Sequence, residues 1–335
     1  MSEGLARAAG LALDEGPVER TAIDTLCALA TSAANGPRLA APAAMAPLVY
    51  VVWQRFLRFD PDDPGWPNRD RFVLCADDGA SLLHALLHLA GVKSSGAHHE
   101  RELAVTLGDL ERLRECPTKD ARLRADEVLP GEYLLHGDAA FRLGTSAGLA
   151  LAARERALRF NRPGFVLFDY DVYALCEDGC LGEAAASDAA RLAAERQLSN
   201  LCWIYDATRP VRQADRKETG SEDLAERMRA CGWSVLHVDD ATDTGTLSCA
   251  LAAFRTERER PTLIVVGGEA AAPPAAEPRL RVPAGVREHF RDGSGRRGRA
   301  LRSAWFVRLE AYREGHPELA QEIERMQQLE PEKNP

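Results

Sequence analysis

No CxxC pair occurs among the eight cysteines of this sequence. Cys27, Cys75, Cys116, Cys176, Cys180, Cys202, Cys231 and Cys249 are scattered. That excludes a zinc ribbon and a disulfide framework, and most of these thiols lie inside apolar runs. Long hydrophobic stretches are missing too. The longest, Leu39 to Trp53, has fifteen residues and carries Pro42 and Pro47, too short and too broken to span a bilayer. There is no basic excess either, with 42 basic against 51 acidic residues and a net charge of -9. A general nucleic-acid binder gains affinity by neutralising phosphates, so neither nucleic acid nor membrane is expected as a partner. The opening MSEGLARAAGLALDEG mixes acids with apolar residues and lacks the charged-then-apolar order of a secretory signal. A cytoplasmic location is expected.

What remains is ordinary for a chain that buries a sizeable core: 335 residues, 45% hydrophobic and 28% charged. The length suits one large α/β domain or one domain with an appendage. Five short apolar runs read as buried strands: Arg71–Cys75, Val172–Cys176, Leu201–Tyr205, Ser234–Val238 and Thr262–Val266. They are continuous rather than alternating, as strands covered on both faces are. Helical patterns lie between them at Glu183–Gln197, Ser221–Ala230 and Thr244–Arg255. Strand and helix in alternation predict a parallel β-sheet with helices on both faces. Gly267–Pro283, rich in Ala, Pro and Gly, reads as a linker or exposed loop. A basic stretch follows at Arg291–Arg302. Ser303–Gln328 then reads as a closing helix broken near Gly315-His316-Pro317. The expected organisation is a domain over 1–266, a linker over 267–283 and a helical extension over 284–335 that packs on the domain.

The segment Trp66–Val92, WPNRDRFVLCADDGASLLHALLHLAGV, closely resembles the N-terminal part of transketolases. They carry W-x-N-R-D-R-F-V-L, a Gly-His-Gly-Ser turn, and a helix ending L-L-H-L-x-G. Phe160–Gly164 (FNRPG), Tyr173–Glu183 (YALCEDGCLGE), Ser221–Asp240 and Pro261–Val266 continue the likeness, as does the tail around Val282–Phe290 and Ala311–Leu319. The resemblance implies that residues 1–266 form the domain that grips the diphosphate and Mg²⁺ of thiamine diphosphate, with that fold. It covers only half of a transketolase. The other half supplies the pyrimidine-binding domain and the glutamate that activates the cofactor. A complete site would need that half from a partner chain.

The resemblance also locates the site positions, and most hold unfamiliar residues. In the family a Gly-Asp-Gly and a later Asn complete the Mg²⁺ shell. Asp178 and Gly179 remain here, Glu177 replaces the first glycine, and the Asn position falls at Thr208. The implied Mg²⁺ ligands are Asp178, the Thr208 hydroxyl and the main-chain carbonyl of Pro210; Mg²⁺ demands such hard oxygen donors. Glu177 opposes a diphosphate, since two like charges at about 4 Å repel by roughly 4 kcal/mol at an effective dielectric of 20. The alternative for Asp178 is a cap on the following helix. The diphosphate loop G-P-L-G-Q-G corresponds to GDAAFR, residues 137–142, where Gly137 survives and Asp138 adds an acid. Arg142 offers a charge to a phosphate, but a solvated arginine at a helix start is the preferred reading. Two histidine positions hold Arg38 and Asp78. Neither titrates near neutrality as a histidine base does. No catalytic residue is therefore assigned.

The other histidines do not restore the site. His84 and His88, spaced i, i+4, resemble a metal pair but have no evident third ligand. His98 and His99 sit in a polar loop. Arg296, Arg297, Arg299 and Arg302 read as a solvated basic turn. Three functions follow. The favoured one is a transketolase-like half without catalysis of its own, a structural or regulatory subunit. It would pair through the face marked by Glu183 with a transketolase-type second half, or with itself, and bind no cofactor alone. The alternative is a working subunit of a split, thiamine-diphosphate- and Mg²⁺-dependent two-carbon ketol transferase. The third is an acidic cleft for a cationic ligand, built from Asp77, Asp78, Asp138, Glu177 and Asp178.

Overall fold

The computed structural model describes residues 16–34, 41–75, 79–94, 102–115, 139–177, 180–182, 184–208, 221–268 and 280–329. In chain order the elements are α1 (Pro17–Ala33), α2 (Ala41–Val51), β1 (Arg71–Cys75), α3 (Ala80–Ala90), α4 (Leu107–Glu115), α5 (Ala139–Phe160), β2 (Val172–Glu177), α6 (Ala184–Glu195), β3 (Leu201–Asp206), α7 (Ser221–Ala230), β4 (Ser234–Val238), α8 (Thr244–Thr256), β5 (Thr262–Val266), α9 (Ala284–Phe290), α10 (Arg296–Gly315) and α11 (Pro317–Leu329). The strands form one five-stranded sheet in the order β1-β2-β3-β5-β4. Every neighbouring pair is parallel.

All five apolar runs are strands. β2 and β3 each extend one residue beyond the apolar run, and both added residues, Glu177 and Asp206, are acidic. β4 departs from the expectation of two covered faces. It pairs with β5 alone at the sheet edge, and only Val238 of its five residues is buried. The other strands bury alternate residues in two cores. Leu74, Leu175, Ile204 and Val266 join α1, α2, α3 and α8 on one face. Cys75, Cys176, Tyr205 and Val265 join α5, α6, α10 and α11 on the other. Every residue of α3 is buried, which marks it as a core helix rather than a surface one.

The W-x-N-R-D-R stretch is a brace at the amino end of the sheet. The Arg58 main-chain N–H and Nε donate to Asp70 Oδ2 and Oδ1 at 2.8 and 2.9 Å. Its Nη1 reaches Asp169 at 2.9 Å, and Asn68 Nδ2 donates to the same oxygen at 2.8 Å. Asp171 lies 3.7 Å from Arg58 and 3.9 Å from Arg255, and its N–H donates to Asp70 Oδ1. Arg71 stacks on the Tyr170 ring, 4.4 Å from its centroid. One guanidinium thus ties the entry of β1 to the entry of β2.

The basic stretch is not a solvated turn. It opens α10, and three of its arginines are held by residues far earlier in the chain. Two π turns, Val52–Phe56 and Arg291–Gly295, face each other. Arg297 donates to the carbonyls of Gln54, Trp53 and Leu57 at 2.6, 3.1 and 3.0 Å. A helix end leaves such acceptors without internal partners. Gln54 in turn donates to His289 O at 2.8 Å and accepts from the Ser294 N–H. Arg299 pairs with Asp62 and Arg302 with Asp63, at 3.2 and 2.6 Å. Arg296 stays at the surface, paired with Asp292. Trp305 Nε1 donates to Leu167 O and the Tyr312 hydroxyl to Phe160 O, at 2.6 and 2.7 Å.

Two outcomes follow. A Cβ at Gly298 would lie 1.8 Å from the Phe59 carbonyl oxygen, so Gly298→Ala lowers stability by about 3 kcal/mol in urea unfolding. Burial and the neighbouring Asp70 push the Asp171 carboxyl up to about 7 from 3.8. The folded chain therefore holds a proton that the unfolded chain releases. That stability is complete below pH 3.8 and is lost as pH rises through about 7. Asp171→Asn flattens this decline, on the order of 4 kcal/mol, in a pH series of urea unfolding curves.

Candidate functional site

In open parallel sheets the crevice for ligands lies beyond the carboxyl ends of the strands. Here those ends are Cys75, Glu177, Asp206, Val238 and Val266. Glu177 and Asp206 are register partners on adjacent strands. By alternation both side chains leave the sheet on the face of Leu175 and Ile204. Asp206 is 2% exposed. Its Oδ1 accepts from the Thr208 N–H at 3.0 Å and from the Thr208 hydroxyl at 2.6 Å. Its Oδ2 is buried with no hydrogen bond. The turn made by Asp206 and Thr208 sets the path of the chain out of β3, while the Ala207 N–H still donates to Val266 O at 2.8 Å.

Thiols line the opposite face of the same edge. Cys75 and Cys176 are register partners. The Cys180 thiol donates to Cys75 O at 3.3 Å, and the Cys176 thiol to Ile204 O at 3.4 Å. Burial pushes Cys75, Cys176 and Cys202 well above the ordinary thiol range, so they are neutral packing groups rather than nucleophiles. Arg142 is not solvated. It lies in the first turn of α5, 8% exposed, with its charge acting on Cys75. Gly79 stands directly before α3, where a Cβ would meet Leu74 Cδ2 at 2.6 Å.

The paired histidines lie within the buried α3. His84 Nδ1 lies 2.6 Å from Ala80 O. His88 Nδ1 lies 2.9 Å from Val105 O, and its Nε2 is 3.2 Å from Arg287 Nη2. Burial lowers the His88 pKa, so the neutral ring donates to Val105 and accepts from Arg287. Among the described residues no group of three His, Cys, Asp or Glu side chains is arranged to hold a metal. Arg38, Asp77, Asp78, His98, His99, Gly137, Asp138, Asp178, Gly179, Glu183 and Pro210 lie outside the described residues.

The sequence matches the family model described as transketolase, thiamine diphosphate binding domain, over residues 18–273. The chain belongs to this family. It is 32% identical to the transketolase of Geobacillus stearothermophilus over 92% of this chain and 49% of that protein. Its identity to a plasmid-encoded transketolase of Cupriavidus necator is 33% over 91% and 48%. Among solved structures it resembles Pichia stipitis transketolase in complex with sedoheptulose 7-phosphate, with a TM-score of 0.80 and 25% identity over 93% of this chain and 49% of that one. It also resembles transketolase from Leishmania mexicana, with a TM-score of 0.76 and 25% identity over 92% and 49%. The chain spans about half the length of the curated relatives it matches. No helix among the described residues is long and apolar enough to cross a membrane.

Within this transketolase domain the structure ties Thr208 to Asp206, which lies one residue past the expected end of β3 and is the register partner of Glu177. The signal for Asp206 was present as Asp-x-Thr, a spacing that closes a side-chain-to-backbone turn. Ellman's reagent at pH 8 is expected to leave Cys75, Cys176 and Cys202 unmodified until the chain unfolds. Peptide mapping checks this, and labelling of Cys176 in the native state would contradict the packing role.

Proposed function

We propose that this chain is a transketolase-like half without catalysis of its own. It acts as a structural or regulatory subunit that pairs with a transketolase-type second half through the face bearing Glu183. The observation that carries this reading is the chemistry at the ends of β2 and β3. A diphosphate wants bare backbone amides at its oxygens, and Mg²⁺ wants hard oxygen donors, of which only one or two are carboxylates. Glu177 and Asp206 instead place two carboxylates in register, and the Thr208 hydroxyl proton is given to Asp206 at 2.6 Å. The carboxylate of Glu177, where the resemblance expects a bare glycine, supports this reading because it opposes the diphosphate by like charge.

One observation favours the working-subunit reading. A buried guanidinium, Arg142, lies in the first turn of a long helix, where anions are stabilised. On that reading Asp178, Thr208 and the Pro210 carbonyl hold the Mg²⁺, and the second half supplies the activating glutamate for two-carbon ketol transfer. Calorimetry with thiamine diphosphate and Mg²⁺ separates the two. The favoured reading expects no heat of binding from this chain, alone or with a transketolase-type second-half chain from the same genome, but a stable complex of the two chains in native mass spectrometry. Micromolar cofactor binding, or a monomer indifferent to every such chain, would overturn it.

A further inference from the structure

An arginine side chain only donates hydrogen bonds, so whatever it meets must accept. Arg287 of α9 places Nη2 3.2 Å from His88 Nε2, and His88 Nδ1 lies 2.9 Å from Val105 O. The first contact makes Nε2 an acceptor, and the second makes Nδ1 the donor. His88 is buried and both its ring nitrogens are taken. An added proton has no place except Nε2, where it meets a guanidinium.

The other side of α9 repeats the arrangement. His289 Nε2 lies 2.5 Å from the Tyr50 hydroxyl, with the two rings stacked. That length suits an O–H donor and is below the usual N–H···O range, so Tyr50 donates and His289 accepts. Tyr50 is buried too. A proton on Nε2 would displace the hydroxyl proton beside Arg55, which is itself tied to Glu19 at 2.5 Å and to Ser248 at 2.7 Å. Each histidine therefore holds its partner only while its ring is neutral.

We propose that α9 is an acid-released strap, held on α1 and α3 by the uncharged rings of His88 and His289 and freed when both take up protons. The helix packs against α1, α3 and the π turn Arg291–Gly295, and its apolar anchors Val286 and Phe290 are buried in the core. Four charges act on the two rings. Glu19 and Asp109 favour the added protons, Arg55 and Arg287 oppose them, and burial opposes them most. The other titratable groups on the elements packed against α9 are Arg20, Asp24 and Cys27 of α1, His84 of α3, Glu288 of α9 itself, and Arg291 and Asp292 of the following turn. Among the described residues the rings bond only to Val105, Arg287 and Tyr50. Both histidines titrate below the ordinary 6.5. The docked helix thus refuses protons that the released one accepts. Docking is complete above pH 6.5 and is lost as pH falls through the lowered values. With two protons taken up, the released fraction rises by up to about a hundredfold per pH unit in that window.

Amide hydrogen exchange on the full chain tests this at pH 7.5 and pH 5.5, with rates corrected for intrinsic exchange. Residues 284–295 are expected to lose protection at least about tenfold at the lower pH, while β3 and β5 keep theirs. The Asp171 carboxyl works in the opposite sense over this range, binding its proton as pH falls, so loss confined to α9 is not a general loosening. His88→Gln and His289→Gln each keep a neutral donor and acceptor but do not titrate near neutrality. Each is expected to about halve the logarithmic pH slope, and the double variant to remove it. If the double variant fails to fold, NMR titration of the two rings in the wild-type chain carries the test, with both midpoints expected below 6.5. Equal protection of α9 at both pH values overturns the proposal, as does a slope that survives the double substitution. So does either ring titrating at or above 6.5, or β3 and β5 losing protection together with α9.

Discussion

The buried pair of Arg58 and Asp70 organises the amino end of the sheet. Asp70 is out of water, and its two oxygens are met by the side chain and main chain of one residue. Removing either partner would strand the other charge in the interior, which costs far more than the pair contributes by itself. Asp169, Asp171 and Asn68 are arranged around this contact, so the entries of β1 and β2 are fixed before the strands begin.

The two ends of the sheet treat acids differently. At the amino end, carboxylates are matched by guanidinium groups. At the carboxyl end, Glu177 and Asp206 extend the strands past their apolar runs, and among the described residues Asp206 Oδ2 has no hydrogen-bond partner. Within one transketolase-type domain, the stretch Trp66–Leu74 lies at the braced end of the sheet and acids stand at the ends of β2 and β3.

The strands were legible because parallel strands covered on both faces must be continuously apolar, and Arg71–Cys75 and Thr262–Val266 are. β4 was misread because an edge strand and a central strand share that composition; only its neighbours distinguish them. α2 was hidden by Pro42 and Pro47, the second of which lies inside the helix. The arginines of α10 looked solvated because their partners, Asp62, Asp63 and the carbonyls of residues 53–57, lie some 240 positions away. Arg142 was misjudged for a related reason, since nothing local shows that a helix start will be covered. At the strand ends, the bond of Thr208 to Asp206 was legible as Asp-x-Thr, whereas the pairing of Asp206 with Glu177 depends on strand register, which periodicity does not supply.

The clasp between the two π turns sets an order of assembly. Gln54 meets His289, and Arg297 meets Trp53, Gln54 and Leu57, so each contact closes a loop of more than 230 residues. On the ribosome, the segment after α2 emerges long before its clasp is synthesised. Its carbonyls and the apolar flank of Trp53 must wait in water while the more than 230 residues up to the clasp are made. Slow synthesis or a stalled ribosome would therefore expose the earliest part of this chain to chaperones and proteases, rather than the latest.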